Sequence, residues 1–82
     1  MPRKRHNLEA GYRAERMNPH APGHKVTIYD AAAQHLDAGG LRYAVVCDAH
    51  GTIVGESSMP GARASMKAPE NFCDECRKLA TH

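Results

Sequence analysis

The sequence predicts a small α+β fold, in which a β-hairpin is combined with short helices and a mobile N-terminal arm. Two β-prone runs, residues 41–46 and 52–56, flank a tight turn, which is the pattern of a hairpin. A shorter β-prone run at residues 26–29 precedes them. The chain has 82 residues, one phenylalanine and no tryptophan. Because so small a core contributes little stability, we expect an additional stabilising feature.

Short helices are predicted on both sides of the hairpin. The first covers residues 31–37, after the candidate N-cap Asp30 and before a pair of glycines. The second starts after a serine pair and carries Pro60 in its first turn. A last helical turn or two is predicted within residues 73–79.

Four residues have the spacing of a zinc site. Cys47 and His50 form a Cys-x2-His pair, and after 22 intervening residues Cys73 and Cys76 form a Cys-x2-Cys pair. Donors separated by two residues can reach one point from a single turn of backbone, and Zn²⁺ prefers four sulfur and nitrogen donors in a tetrahedron. Gly51 directly follows the first pair, where a zinc knuckle turns sharply. We therefore predict one structural zinc ion, because protein side chains fill all four positions.

The cysteines also allow other interpretations. Cys73 and Cys76 could form a redox dithiol or a disulfide, and Cys47 could be a buried apolar residue. A redox pair prefers a thioredoxin-like βαβ fold, which this pattern does not supply. No segment suits a secretory signal or a membrane span, so we expect a cytoplasmic protein without membrane contact. In that compartment clustered cysteines more often bind metal.

Charge divides the chain into two parts. Residues 1–25 hold six basic and two acidic residues, a net charge of +4, whereas residues 26–82 hold five and seven, a net charge of −2. The first part has few large apolar residues and ends in a segment with two prolines and a glycine. We therefore predict a basic flexible arm at 1–25 and one small domain at 26–82, with the zinc module at about 43–80.

The segments around the predicted ligands resemble known zinc domains. Residues 43–52 resemble a zinc knuckle on a hairpin, and residues 72–76 are similar to the helix-start ligand pair of treble-clef and zinc-ribbon domains. The resemblance implies that Cys47 and His50 are the knuckle ligands. His50 replaces the usual second knuckle cysteine, and a helical segment replaces a further strand of a simple ribbon, so both fold types stay open. Small stand-alone proteins of this kind occur in actinobacteria and their phages.

Two functions fit this scaffold. The basic arm predicts weak, salt-dependent contact with nucleic acid. The alternative is a protein-interaction adaptor or inhibitor that presents the surface of the zinc module to a protein partner. No nucleophile, base and open metal position converge, so we expect neither an enzyme nor a small-molecule substrate. The candidate nucleic-acid-binding residues are Arg3, Lys4, Arg5, Arg13 and Arg16.

Overall fold

The computed structural model describes residues 11–81, which form a four-stranded sheet followed by two α-helices. The strands are Tyr12–Met17 (β1), Lys25–Asp30 (β2), Tyr43–Cys47 (β3) and Thr52–Glu56 (β4). They pair antiparallel in the order β1-β2-β3-β4. The helices are Met59–Lys67 (α1) and Asp74–Ala80 (α2), separated by a 3-10 turn at Pro69–Asn71. The predicted α+β fold and the β3–β4 hairpin are confirmed.

One face of the sheet carries the main hydrophobic core. Val26, Ile28 and Val45 on this face are fully buried and pack against Ala62 and Met66 of α1. Alternate residues of a strand share one face, and Ile28 and Val45 are cross-strand partners. Helix α1 therefore lies across the central strands and covers their apolar side.

The start of α1 follows the predicted serine signal. The Ser58 side chain accepts the backbone N–H of Gly61 at 3.3 Å, and Pro60 occupies the first turn. The Ser65 hydroxyl donates to the Glu56 carboxylate at 2.6 Å, which ties the helix to β4. Local capping and one tertiary contact thus fix the position of α1 on the sheet.

The segment between β2 and β3 corrects the predicted helix at residues 31–37. The Asp30 carboxylate accepts the backbone N–H of Ala32, as an N-cap would, but the chain then forms turns. His35 has a φ of 54°, in the left-handed region that an L-residue in a helix does not adopt. Ala31 and Ala38 are instead buried against Ala44 of β3. Packing of these small side chains on the second face of the sheet overrides helix propensity.

Residues 12–25 correct the predicted boundary of the N-terminal arm. Strand β1 pairs with β2, and the connection between them is closed by a hydrogen bond from the Asn18 backbone N–H to the His24 carbonyl at 2.9 Å. Most β1 side chains are exposed, so the strand lacks the alternating large apolar residues that mark a strand in sequence. The folded domain therefore starts before residue 26. Residues 1–10 of the predicted arm lie outside the described residues.

Within residues 11–81, no helix has both the length and the apolar character needed to cross a membrane.

Candidate metal centre

The turn after β3 positions the first pair of donors. The backbone N–H groups of His50 and Gly51 both donate to the Cys47 carbonyl, at 3.3 and 2.8 Å. Gly51 has a φ of 72°, a conformation that glycine adopts without a side-chain penalty. As a result, the Sγ atom of Cys47 lies 3.3 Å from the Nδ1 atom of His50.

The start of α2 positions the second pair. Cys73 is the N-cap residue of this helix, and its backbone N–H donates to the Pro69 carbonyl at 2.8 Å. Cys76 follows in the first turn and is buried. The 3-10 turn at Pro69–Asn71 therefore sets the direction from which α2 approaches the hairpin.

The four predicted ligands converge on one point. The Nδ1 atom of His50 lies 3.3 Å from the Sγ of Cys73 and 3.6 Å from that of Cys76. The Sγ atoms of Cys47 and Cys76 are 3.7 Å apart, and all four donor atoms lie within 4.8 Å of one another. Donors about 2.0–2.3 Å from a shared tetrahedral centre are separated by about 3.3–3.8 Å. The cluster is therefore close enough to bind one metal ion.

The three cysteines are buried but form no disulfide. Cys47, Cys73 and Cys76 are free thiols with no solvent exposure, and Ala49 and Phe72 pack against them. The fourth donor differs, because His50 is exposed at the surface. The three sulfurs are thus shielded from water, and His50 is the donor residue that lies at the surface.

Two polar residues that the sequence analysis missed contact the sulfurs. The Asn18 side-chain nitrogen lies 3.3 Å from the Sγ atoms of both Cys47 and Cys76. The Thr52 hydroxyl donates to the Sγ of Cys73 at 3.4 Å. Thr52 could have been found, since it pairs with Cys47 in the hairpin register. Asn18 carries no such signal, because its contacts with Cys47 and Cys76 span 29 and 58 residues of sequence.

The thiols do not ionise independently. Burial opposes ionisation of Cys73, but the Thr52 hydroxyl, the Cys76 backbone N–H and the neighbouring sulfurs together lower the pKa of Cys73 to about 6. Burial raises the pKa of Cys76, against the hydrogen bond from Asn18, and the sulfurs of Cys47 and Cys73 act in the same direction as burial. One sulfur therefore holds negative charge more readily than another, and a cation in the cluster would allow all three to be thiolates.

A hydrogen bond outside the cluster joins two of the segments that surround it. The Nε2 atom of His20 lies 2.9 Å from a carboxylate oxygen of Glu70, which links the β1–β2 connection to the 3-10 turn. The Glu70 backbone N–H and the His20 side chain lower the pKa of the Glu70 carboxyl. The Arg77 side chain donates to the Glu70 carbonyl at 3.2 Å. These contacts hold the connection and α2 next to each other.

The candidate nucleic-acid-binding residues do not join the metal cluster. Arg13 and Arg16 lie on β1, and the Arg13 guanidinium is 3.5 Å from the Asp30 carboxylate. The backbone N–H of Ala33 is the main cause of a lowered pKa of Asp30, with Arg13 adding to it. Arg3, Lys4 and Arg5 lie outside the described residues.

Comparisons with known proteins give no relative for this chain: no family model matches it, and neither curated proteins nor solved structures provide a match.

Proposed function

We propose that this chain is a small binding protein whose fold is stabilised by one zinc ion held by Cys47, His50, Cys73 and Cys76. The observation that carries the proposal is the convergence of four donor atoms. Four pairs of these Sγ and Nδ1 atoms are separated by 3.3–3.7 Å. They come from two segments 22 residues apart in sequence. Local geometry within one segment cannot produce that convergence, so it reflects the tertiary fold.

The donor set favours zinc and a structural role. Three sulfurs and one imidazole in a tetrahedron suit Zn²⁺, whereas Mg²⁺ and Ca²⁺ prefer oxygen donors. Protein groups fill all four positions, which leaves none for water or substrate. The second pair at the start of α2 favours a treble-clef-like arrangement over a ribbon. We accordingly propose a role in binding rather than catalysis.

Metal analysis tests the zinc assignment. The full chain would be purified without chelator, and its metal content would be measured by mass spectrometry. We expect about one zinc per chain, and a loss of most of it in the Cys73→Ser and Cys76→Ser variants, because three-ligand sites bind zinc less tightly. Zinc content near zero in the wild-type protein would overturn the proposal.

Nucleic acid is the proposed partner, through the N-terminal residues. Residues 11–81 hold eight basic and eight acidic residues, so the positive excess of the chain, +2, falls within residues 1–10. The ion pair with Asp30 also reduces the charge that Arg13 can offer a phosphate. The contact is therefore assigned mainly to Arg3, Lys4 and Arg5, with Arg13 and Arg16 contributing less.

Fluorescence anisotropy with single- and double-stranded oligonucleotides at two salt concentrations tests this contact. Each lost phosphate contact should flatten the log–log salt dependence by about one unit, so replacing Arg3, Lys4 and Arg5 with glutamine should flatten and weaken binding. The matched control replaces Arg63 and Lys67 of α1. Absence of binding at low salt would reject the nucleic-acid proposal.

The alternative role is a protein adaptor. Leu41 and Ile53 are exposed large apolar side chains that a protein partner could cover. A partner recovered from nuclease-treated lysate and lost in the Ile53→Asp variant would favour this alternative.

A further inference from the structure

Asn18 is a buried polar residue with an exposed fraction of 3%. It follows β1 directly and starts the connection to β2. A buried amide is costly unless both its oxygen and its nitrogen have partners. The partners of Asn18 therefore indicate why a polar side chain stands at this position.

The orientation of the Asn18 amide follows from its contacts. Its oxygen accepts the backbone N–H of His20 at 2.8 Å, which requires an acceptor on that side. The nitrogen consequently faces the Sγ atoms of Cys47 and Cys76, at 3.3 Å from each. An amide nitrogen donates and does not accept, so both sulfurs act as acceptors.

We propose that Asn18 is a positioning residue of the metal centre, whose amide holds one sulfur from each ligand pair in place to bind the metal. This inference rests on the proposed zinc site. Hydrogen bonds to anionic acceptors are stronger than those between neutral groups. The two N–H groups place partial positive charge next to sulfurs whose combined charge, with Zn²⁺ and a neutral imidazole, would leave the site at −1.

The bridging position of Asn18 gives it a second effect. Cys47 belongs to the hairpin and Cys76 to α2, so one side chain connects the two segments that supply the ligands. The backbone of Asn18 is held by the N–H donation to the His24 carbonyl and by acceptance from Ala21 at 3.3 Å. The amide is therefore preorganised, and the β1–β2 connection is part of the metal centre. With Thr52 beside Cys73, each of the three sulfurs has a side-chain donor.

The test uses the full zinc-loaded chain and compares Asn18→Ala with the control Asn71→Ala, which removes an exposed asparagine near the second pair. Zinc affinity would be measured by competition with a chelating dye. We expect Asn18→Ala to weaken zinc binding by roughly 10- to 100-fold, the usual effect of removing a partner of a metal ligand. Alkylation of the cysteines by iodoacetamide should also become faster, because a thiolate that accepts no hydrogen bond from Asn18 is more nucleophilic. The control should match wild type in both measurements.

Asn18→Asp tests the hydrogen-bond donor separately from side-chain packing, because aspartate has nearly the same shape as asparagine and lacks the amide N–H groups. Aspartate can still accept the His20 backbone N–H, but it presents a carboxylate to the sulfurs. We expect a larger loss of zinc affinity than in Asn18→Ala and a shifted sulfur-to-cobalt charge-transfer band in the Co²⁺-loaded protein, which a loss of packing alone would not move. Asn18→Ser keeps a hydroxyl donor, so its zinc affinity should lie between that of Asn18→Ala and that of wild type.

The outcomes distinguish the two proposals. If wild type binds no zinc, the proposed function fails. If wild type binds zinc while both Asn18→Ala and Asn18→Asp match it in affinity, alkylation rate and Co²⁺ spectrum, the inference on Asn18 alone is overturned. If Asn18→Ala does not fold, the Asp and Ser variants decide by the same measurements.

Discussion

Strand β3 contributes to two clusters that are stabilised in different ways. Cys47, at its end, belongs to the metal-centre cluster, whose four donors and two polar partners come from distant segments. Ala44, three residues earlier, belongs to an alanine cluster with Ala31 and Ala38. In the first cluster the contacts are directional, because they join donor atoms of a candidate metal site and hydrogen-bonding side chains. In the second, they depend on the absence of bulk.

The close approach of backbone in the alanine cluster shows this dependence. Gly55 of β4 pairs with Ala44, and a Cβ atom added to Gly55 would overlap the Ala38 carbonyl group. A single methyl group can thus disturb this cluster, whereas the metal-centre cluster should be disturbed by chelation, acid or loss of a donor. A thin core can be supplemented either by tight packing of small residues, as in the alanine cluster, or by metal ligation, for which the four donors of this chain lie close enough to one another.

Removal of zinc should have the largest effect. Apparent binding energies of structural zinc in small peptides are about 10–16 kcal/mol, more than the roughly 3–5 kcal/mol expected from so small a core. Chelation, or Cys76→Ser, should therefore abolish the cooperative thermal transition seen by circular dichroism, and added zinc should restore it in the chelated wild type. Retained amide dispersion in the NMR spectrum of the chelated protein would contradict this expectation.

Truncation should have the next largest effect and tests the corrected boundary. Deleting residues 1–24 removes β1 and Asn18, so both the edge pairing with β2 and the hydrogen bonds to the sulfurs are lost. We expect loss of the cooperative transition and of most zinc binding. Deleting residues 2–10 is the control, because it leaves every described strand and helix in place. If the protein stays stable and binds zinc after the longer deletion, the boundary at residue 25 that the sequence predicts is right and the correction is wrong.

Gly55→Ala should produce a moderate effect in the alanine cluster. The added methyl group meets backbone that cannot rotate away, and overpacking of this kind costs about 1–3 kcal/mol. Thermal unfolding with saturating zinc should show the loss. The matched control is Gly39→Ala, where a Cβ meets nothing within 4 Å and only the positive φ of 66° is strained. A loss below about 1 kcal/mol in Gly55→Ala would show that Ala38 moves aside easily.

Glu70→Gln should have the smallest effect, below about 1 kcal/mol, since the carboxylate is partly exposed. Because the folded pKa of Glu70 is lowered, its stabilisation is present above the unfolded pKa and is lost as pH falls through the folded value. The stability difference between wild type and variant should not shrink between about pH 7 and about pH 5. Denaturant unfolding at these two pH values checks this, and a decrease within the range would argue against the contact between Glu70 and His20.

The features that can be predicted from the sequence are those that depend on short-range patterns. The turn at Cys47 to Gly51, the serine cap of α1 and the cysteine pair at the start of α2 each involve residues within about one turn of each other. Their geometry follows from local hydrogen bonds and backbone preferences. For the same reason, residue type and spacing alone were enough to predict the four candidate ligands.

The remaining features depend on contacts between segments that are distant in sequence. Strand β1 is a mostly exposed edge strand that exists because β2 offers backbone partners, and no local pattern records that pairing. The turns after β2 replace a helix because Ala31 and Ala38 gain burial against Ala44. Asn18 reaches the sulfurs because β1 pairs with β2 and α2 packs beside the hairpin. Its role depends on contacts 29 and 58 residues away in sequence, a distance over which residue spacing carries no information.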